Sequence, residues 1–560
     1  MTSVAATPLR NHRLLTSWFV PATLLAIAVC IPLIVVLWGI LVPRAEADTG
    51  TFWQMAGPYA WNTAQLLLFS GGMALLMGVP SAWIIATTTF TGRRLLAWLL
   101  VLPLAMPAYI AAYAWVGLFD LTGPVLKIAR WIDPASTWHP DVMHLPMLSL
   151  ILAGCLYPYV YLVSRGAFMR QSASVWDAAR MLGHSRLQTF FSVSLPLARP
   201  AIAGGVTLVM MEILNDYGAA RYFGVNTFTT GIFREWMGRN NLVGAFRLSG
   251  LLLVVVFGLV TWERIQRGRA QVSMSSANSR TAPRTPLGPG LTTLAWVVCL
   301  IPVLCGFGLP LAQLLIWAAG SIRTVWDERF MELVLHSVWL AGSAALICTT
   351  AAILLASYRR WAGEKAADNL VRLAVLGYAV PGAVIAAGVY TPMTGLNTWL
   401  NTWLTPVLGY DPGLFLVNGF VVLLFAYLVR FLSVGFQPVQ AGWEKTPVSF
   451  DDSARLLGRN RRQILFQVLF PLGKTSILTA FLMVFVDVIK ELPLTMILRP
   501  FNVDTLATQT YAWADDERLA SAAVPALLIL CVSLIPVIWL NRLIEGPRPV
   551  ADITAHNTNG

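Results

Sequence analysis

Charged residues are scarce in this chain, and this scarcity excludes an ordinary soluble protein. Asp, Glu, Lys and Arg make up 12% of its 560 residues, whereas hydrophobic residues make up 57%. Soluble domains carry about 25% charged residues because their surfaces face water. Strict alternation of apolar and polar residues is also absent from the apolar runs, which excludes a transmembrane barrel. The composition therefore predicts an all-α integral membrane protein, since a helix pairs its backbone groups within each run.

Neither cysteine nor histidine occurs in a pattern that predicts a metal or redox site. The six cysteines lie in apolar runs and none has CxxC spacing, which favours small hydrophobic residues over a disulfide framework. His184 and His336 are single histidines without clustered partners. We therefore expect no metal ligands and no cofactor.

A nucleotide-binding loop is also missing from the sequence. Gly473, Lys474 and Thr475 resemble the end of a phosphate loop, but Val468 stands where that loop requires its first glycine. No stretch offers the clustered His, Asp or Ser residues that a membrane-embedded enzyme would need. We expect a chain that is not an enzyme and has no ATPase site of its own.

Apolar runs are abundant, and many have the roughly 20 residues needed to cross a hydrocarbon core. Twelve such runs predict transmembrane helices at residues 17–43, 62–88, 95–118, 147–165, 200–222, 245–262, 291–318, 334–357, 369–393, 414–436, 476–498 and 519–541. The predicted organisation is a cytoplasmic tail (1–16), a first transmembrane domain (17–265), a cytoplasmic linker (266–290), a second transmembrane domain (291–545) and a cytoplasmic tail (546–560). Residues 271–290 are rich in Ser, Pro, Thr and Arg, which predicts a flexible connector.

The basic residues are expected to set the orientation of the spans. With the N-terminus inside, most of the 39 Lys and Arg, including Arg93-Arg94 and Arg359-Arg360, lie at the cytoplasmic ends of the predicted spans. Lys and Arg in short loops favour that side of the membrane. Contacts of these residues with lipid headgroups account for the net charge of +12 without a nucleic-acid partner.

One segment of the sequence occurs twice. Residues 177–196 read DAARMLGHSRLQTFFSVSLP, and residues 452–471 read DSARLLGRNRRQILFQVLFP. The same offset aligns Asp216 with Glu491. Because each copy belongs to a unit of six spans, an even number, the two units are predicted to be parallel six-helix pseudo-repeats.

The repeated segments, loop 1 (residues 174–196) and loop 2 (residues 449–471), are predicted to form helix–turn–helix structures on the cytoplasmic face. Each first helix is expected to begin with a capping box, formed by Ser174 with Asp177 and by Ser449 with Asp452. A glycine follows each of these helices and suits a left-handed C-terminal position. A loop that only connects two spans would not need this pattern twice.

Loops 1 and 2 resemble the EAA loop of ABC-importer permeases of the binding-protein-dependent class. The fused double layout resembles the permeases of ferric-iron importers, as do residues 215–218 (NDYG) and 490–495 (KELPLT). Importers of thiamine, phosphonate, spermidine and sulfate have related permeases. Ferric iron as the substrate is an expectation from this analogy.

The resemblance implies a permease subunit of an ATP-driven importer in a bacterial inner membrane. In that family the loop is a coupling helix that sits in a groove of an ATPase subunit. The implied partners are two ABC ATPase subunits, an extracytoplasmic binding protein and membrane lipid. The residues implied in coupling are Asp177, Ala178, Ala179, Gly183 and Arg186 in loop 1, and Asp452, Ser453, Ala454, Gly458 and Arg461 in loop 2. Two departures are Asp in place of the usual Glu and Ser453 in place of the central Ala.

Five charged residues lie inside predicted spans five and eleven: Glu212, Asp216, Asp487, Lys490 and Glu491. Each would cost roughly 2.5–3.5 kcal/mol at a helix centre, so they are expected to face the bundle interior or a water-filled path. One interpretation is that they line the translocation path of a cation. The other is a structural lock in which Lys490 pairs with Glu212 or Asp216.

Two alternative functions remain open from the sequence alone. The chain could serve another small solute, or it could be a twelve-span secondary transporter with parallel halves. The repeated loops favour an importer subunit, because a carrier that works alone has no need of them. Pro103, Pro107 and Pro381 lie inside spans three and nine, where proline kinks a helix and can shape a gate.

Overall fold

The structure, a computed structural model, describes residues 16–41, 49–134, 138–268, 284–362 and 365–545. The first half contains α1 (Thr16–Leu41), α2 (Thr49–Thr87), α3 (Arg93–Leu99), α4 (Ala108–Phe119), α5 (Pro124–Ile132), α6 (Leu145–Met169), α7 (Ala173–Met181), α8 (Arg186–Thr189), α9 (Leu195–Asn215), α10 (Gly218–Tyr222), α11 (Phe228–Phe233) and α12 (Leu242–Gly268). The second half contains α13 (Pro289–Val303), α14 (Leu309–Val325), α15 (Glu328–Ala362), α16 (Lys365–Ala374), α17 (Gly382–Leu408), α18 (Phe420–Glu444), α19 (Ser449–Leu456), α20 (Arg461–Ile464), α21 (Phe470–Ile489), α22 (Pro493–Leu498), α23 (Leu506–Asp515) and α24 (Leu519–Glu545).

The predicted all-α membrane protein with about twelve spans is confirmed. Within the described ranges, eleven helices are long and apolar enough to cross a membrane. A bent pair of helical segments, Ala367–Ala379 and Gly382–Leu408, supplies a twelfth span if it is taken as one. The strands β1 (Thr88–Thr89) and β2 (Thr285–Pro286) pair in parallel.

Proline interrupts the third and ninth spans at equivalent places. A short 3₁₀ turn, Leu102–Ala105 or Leu376–Ala379, precedes Pro107 or Pro381, and each of these prolines is the N-cap of the next helix. The ninth span bends by 114° at this point. The break follows from proline chemistry, since the residue lacks an N–H and disfavours helical geometry in the residue before it.

The helix contacts repeat in the two halves, as expected for parallel pseudo-repeats. Helix α2 packs on α6 as α15 packs on α18, and α6 packs on α9 as α18 packs on α21. The first span of each half crosses to the other half: α1 contacts α17, and α14 contacts α4. Both crossings are made by equivalent elements, so the halves are joined by a two-fold exchange of their first spans.

Small residues allow the halves to approach closely. Gly306 lies against the backbone of Gly154 in α6, where a Cβ on Gly306 would overlap the carbonyl of Gly154. Nearby, the Trp115 side chain donates from Nε1 to the carbonyl of Cys305 at 3.0 Å. Helices in lipid associate through such close backbone packing and interhelical hydrogen bonds, because apolar contact alone gives little preference over lipid.

The end of the linker is ordered on the first half. Residues 269–283 lie outside the described ranges, but β2 pairs with β1, and the Leu287 N–H donates to the Thr89 carbonyl at 3.1 Å. The Trp296 side chain donates to the carbonyl of Thr91 at 3.1 Å. The expectation of a flexible connector over residues 271–290 is therefore wrong for residues 284–290, because backbone pairing fixes them.

Candidate functional site

Loop 1 consists of two short helices joined by a left-handed glycine. Ser172 caps α7 by accepting from the Ser174 N–H at 3.2 Å. Gly183 has φ of +77°, its N–H donates to the Arg180 carbonyl, and the His184 N–H donates to the Ala179 carbonyl. This is the Schellman arrangement, which satisfies the last carbonyls of a helix.

Loop 2 has the same backbone. Gly458 has φ of +78°, its N–H donates to the Arg455 carbonyl, and the Arg459 N–H donates to the Ala454 carbonyl. In both loops the second helix begins with a capping box and runs through a π-helical turn into the next span, so the second helix is continuous with α9 or α21. The glycine prediction is thus confirmed at both positions.

The capping boxes lie elsewhere than predicted. Ser174 is the second residue of α7 and Ser449 is the first residue of α19, so neither is an N-cap. The boxes form instead at the second helices, between Ser185 and Gln188 and between Asn460 and Gln463. The pattern located the start of each first helix to within two residues. The N-cap positions themselves are occupied by Ser172 and Val448.

The implied coupling residues separate into two groups by exposure. The outward-facing residues are Asp177, Ala178, Gly183, Arg186, Asp452, Ser453 and Gly458. Ala179 and Ala454 are buried against the rest of the chain, and Arg461 is half-buried. The two buried alanines therefore hold the helices to the protein and do not face outward.

Two solvent-exposed apolar pairs were not predicted from the sequence. Met181 and Leu182 in loop 1 are 89% and 76% exposed, and Leu456 and Leu457 in loop 2 are 89% and 81% exposed. The exposed apolar pair thus occupies the same position in both loops. In the sequence, these pairs could have been found as the two apolar residues, Met-Leu or Leu-Leu, that directly precede each repeated glycine.

The two loops are attached to the membrane domain by different contacts. In loop 2, Asp451 receives bonds of 2.9 Å from Nε and Nη2 of Arg360 and a bond of 3.0 Å from Trp361 Nε1. In the first half, Gln171, just before loop 1, donates from Nε2 to the Ser194 carbonyl of the loop at 2.8 Å, and Trp176 Nε1 of the loop donates to Gln171 at 3.3 Å. No sequence pattern predicted the role of Asp451, because its partner Arg360 lies in a distant span.

The charged residues of spans five and eleven lie at two equivalent helix breaks. Helix α9 ends at Asn215, and the Asp216 carboxylate accepts from the Ala219 N–H at 3.1 Å. Helix α21 ends at Ile489, and the Glu491 carboxylate accepts from the Leu494 and Thr495 N–H groups at 3.1 Å. The predicted continuous spans 200–222 and 476–498 are therefore wrong: each is broken just before a new short helix, whose first N–H groups bond to the acidic side chain at the break.

The pairing predicted for Lys490 is also wrong. Lys490 Nζ contacts Asp487 Oδ1 at 2.9 Å, one turn earlier in the same helix. Glu212 instead accepts from the Tyr378 hydroxyl at 3.0 Å, and Asn215 accepts from the Gly382 N–H at 3.0 Å. At this site the two halves are thus joined by a phenol-to-carboxylate bond and a backbone-to-amide bond.

Arg430 is the charged partner that sequence reasoning missed. Its Nη1 lies 3.5 Å from Glu491 Oε1, and both side chains are almost fully buried. Arg430 stands alone in the apolar run 414–436, so the argument applied to the other intramembrane charges would have found it.

These groups line a cavity of about 140 Å³ between the halves, called here the central cavity. Its charged lining residues are Glu212, Asp216, Asp487, Glu491, Arg430 and Lys490. Tyr109, which also lines it, has a buried hydroxyl without a hydrogen-bond partner in the described part of the chain. Four carboxylates face two cations, so the ionised lining is net negative. An unpaired phenol adds a polar group available to cargo or water.

The sequence matches, twice, the family described as "Binding-protein-dependent transport system inner membrane component", over residues 73–262 and 348–546. It is 25% identical over 492 residues to the Fe(3+)-transport system permease protein FbpB 2 of Haemophilus influenzae, covering 86% of this chain and 89% of that protein.

Two shorter relatives from Escherichia coli match about a third of the chain each. The sulfate transport system permease protein CysT is 26% identical over 205 residues, covering 35% of this chain and 72% of that protein. The molybdenum transport system permease protein ModB is 28% identical over 170 residues, covering 29% and 71%. Since the family matches cover more than half of the chain, one segment in each half, this multi-pass membrane protein belongs to the binding-protein-dependent transport system inner membrane components, transport subunits that work with an ATPase and a substrate-binding protein.

Proposed function

We propose that this chain is the permease subunit of an ATP-driven importer and that it carries ferric iron, delivered by an extracytoplasmic binding protein, into the cytoplasm. The central cavity carries the proposal. Its net negative, oxygen-rich lining suits a hard cation, which prefers carboxylate and other oxygen ligands. The similarity to an Fe(3+)-transport permease along most of the chain supports the same substrate.

The central cavity fits passage of a cation better than its storage. In the described residues, no three His, Cys, Asp or Glu side chains are placed to hold a metal ion together. Two carboxylates are already engaged by Arg430 and Lys490. A path must bind its cargo weakly enough to release it, and a partly neutralised lining meets that requirement.

Loops 1 and 2 are proposed to dock one ATPase subunit each on the cytoplasmic face. The exposed apolar pairs Met181-Leu182 and Leu456-Leu457 would fill a groove on that subunit. Asp177 and Asp452 stand exposed beside them and would supply polar contacts at the rim. Apolar anchors with a polar rim are the usual anatomy of such an interface.

Oxyanion transport is the second candidate, since permeases of sulfate and molybdenum systems are among the relatives. The net negative central cavity disfavours it, because like charges repel strongly in a site with little water. We therefore propose ferric iron in preference to the oxyanions.

The test is uptake by proteoliposomes that hold this chain with its ATPase and substrate-binding protein partners. We expect ATP-dependent accumulation of ferric iron and none of sulfate or molybdate. Asp216→Asn and Glu212→Gln should lower iron uptake while the protein still assembles with the ATPase. Uptake of an oxyanion without iron would refute the substrate, and no ATP-dependent uptake at all would refute the importer.

A further inference from the structure

Three arginines meet at the end of α2, on the face of the molecule that carries loop 1. We name Arg93, Arg165 and Arg284 the arginine cluster. Arg93 Nη1 donates to the carbonyl of Ile85 at 2.9 Å, and Arg284 Nε donates to the carbonyl of the next residue, Ala86, at 3.2 Å. The C-terminal end of one helix therefore holds two of the three guanidinium groups, in keeping with its partial negative charge.

Arg165 reaches the same place from α6. Its Nη1 donates to the Tyr161 hydroxyl at 3.4 Å, and that hydroxyl donates to the carbonyl of Ala97, one turn beyond Arg93 in α3. Bonds to helix-end carbonyls account for the positions of the Arg93 and Arg284 guanidinium groups. Arg165 bonds to none of these carbonyls, so its position needs another explanation. Arg165 is only 6% exposed, and its Nε has no hydrogen-bond partner among the described residues.

In the described part of the chain, the arginine cluster has no carboxylate partner of the kind that Arg430 and Arg360 have. Arg430 is paired with Glu491, and the buried Arg360 is paired with Asp451. Among the described residues, no ion pair involves Arg165. Residues 269–283 of the adjoining linker contain no Asp or Glu. A buried cation without a counter-ion costs several kcal/mol, so the missing charge is expected to come from outside the chain.

The three positive charges also act on one another. Burial, followed by the charges of Arg284 and Arg165, lowers the pKa of Arg93 from its ordinary value. An anion bound between the three groups would remove this repulsion. The second half has no equivalent cluster in the part of the chain that the structure describes, because Arg360 there is neutralised by Asp451.

We propose that the arginine cluster binds a phosphate group supplied by another molecule. Planar guanidinium groups recognise phosphate oxygens through paired N–H donors, and basic pockets between spans on the cytoplasmic side suit phosphate-bearing headgroups. Two sources share this chemistry: an anionic phospholipid and soluble phosphate. Either would bind at Arg165, six residues before Gln171, whose side chain bonds to the Ser194 carbonyl of loop 1, and would strengthen that attachment.

The experiment uses the full chain, purified in detergent and delipidated. Phosphatidylglycerol, phosphatidylcholine and inorganic phosphate are titrated separately. Native mass spectrometry measures how much lipid the protein retains, and thermal denaturation measures its unfolding temperature. Wild type should retain phosphatidylglycerol over phosphatidylcholine. Arg284→Gln and Arg93→Gln should each weaken retention about fivefold, the equivalent of about 1 kcal/mol per basic group. Arg372→Gln, at an exposed arginine of α16, is the matched control and should retain lipid like wild type.

The outcomes distinguish the two sources. Inorganic phosphate that displaces the lipid, or raises the unfolding temperature of wild type but not of Arg284→Gln, identifies soluble phosphate as the ligand. Selective retention of phosphatidylglycerol without competition identifies the lipid. Arg284 is exposed, so its variant tests the site without risk to folding. Equal binding of both lipids by wild type and no effect of phosphate would overturn the proposal, as would retention in Arg284→Gln and Arg93→Gln equal to that in Arg372→Gln.

Discussion

Individual charged residues in this protein differ mainly in how deeply they are buried. The side chains of Arg430 and Glu491 are 8% and 3% exposed, whereas those of Lys490 and Asp487 are 29% and 23% exposed. Removing one partner of a buried pair leaves the other uncompensated, at a cost of about 3–5 kcal/mol. A partly exposed pair contributes less, because solvent screens it.

We therefore expect Arg430→Met to lower the free energy of unfolding by about 3–5 kcal/mol and Lys490→Met to lower it clearly less. Adding Glu491→Gln to Arg430→Met should restore part of the loss. Unfolding of the purified proteins in one detergent measures all three variants. A larger loss for Lys490→Met than for Arg430→Met would show that the 2.9 Å contact with Asp487, and not the Arg430 pair, stabilises the central cavity.

Among the elements, loops 1 and 2 depend on a single backbone conformation. A Cβ at Gly183 or Gly458 would meet nothing within 4 Å, so only the positive φ restricts these sites. Alanine should cost about 1 kcal/mol locally, while proline also removes the N–H that closes the helix. We expect Gly183→Pro with Gly458→Pro to leave the protein in the membrane and to abolish substrate-stimulated ATP hydrolysis by the complex.

The control for this element is Gly166→Ala. Gly166 lies inside α6 with open space around its Cβ position and ordinary helical geometry, so alanine should be neutral or slightly stabilising. Normal coupling in the double proline variant would contradict the assignment of both loops.

The anchor of loop 2 gives a second prediction at this scale. Asp451→Asn would leave the buried Arg360 charge unpaired and should loosen α19 from the end of α15. Amide hydrogen exchange should become faster in loop 2 and stay unchanged in loop 1, where Trp176 and Gln171 make the equivalent attachment. Equal protection in the variant and the wild type would show that packing alone holds the loop.

For the whole molecule, the orientation predicted from the basic residues is open to a direct test. Ser453 in loop 2 and Asp516, between α23 and α24, are exposed. In a Cys-free background, Ser453→Cys should react with a membrane-impermeant thiol reagent only from the cytoplasm, and Asp516→Cys only from outside. Labelling of both from the same side would contradict the parallel twelve-span arrangement.

The sequence by itself determined the span number, the two-fold repeat, the breaks at Pro107 and Pro381, and the left-handed glycines of loops 1 and 2. These features follow from hydrophobic run length, proline chemistry and φ preference, which depend on residues close in the sequence. It also identified most of the charged residues of the central cavity, because an ionised group inside an apolar run is costly wherever its partner lies.

Only the tertiary structure decided which groups are partners. Lys490 bonds to its own helix, Glu491 meets Arg430 from another span, and Asp451 meets Arg360 from the end of α15. The helix breaks after Asn215 and Ile489, and the exchange of first spans between the halves, likewise depend on contacts between distant segments. A charged residue inside an apolar run indicates that its charge must be compensated. Which group compensates it depends on how the helices pack in three dimensions.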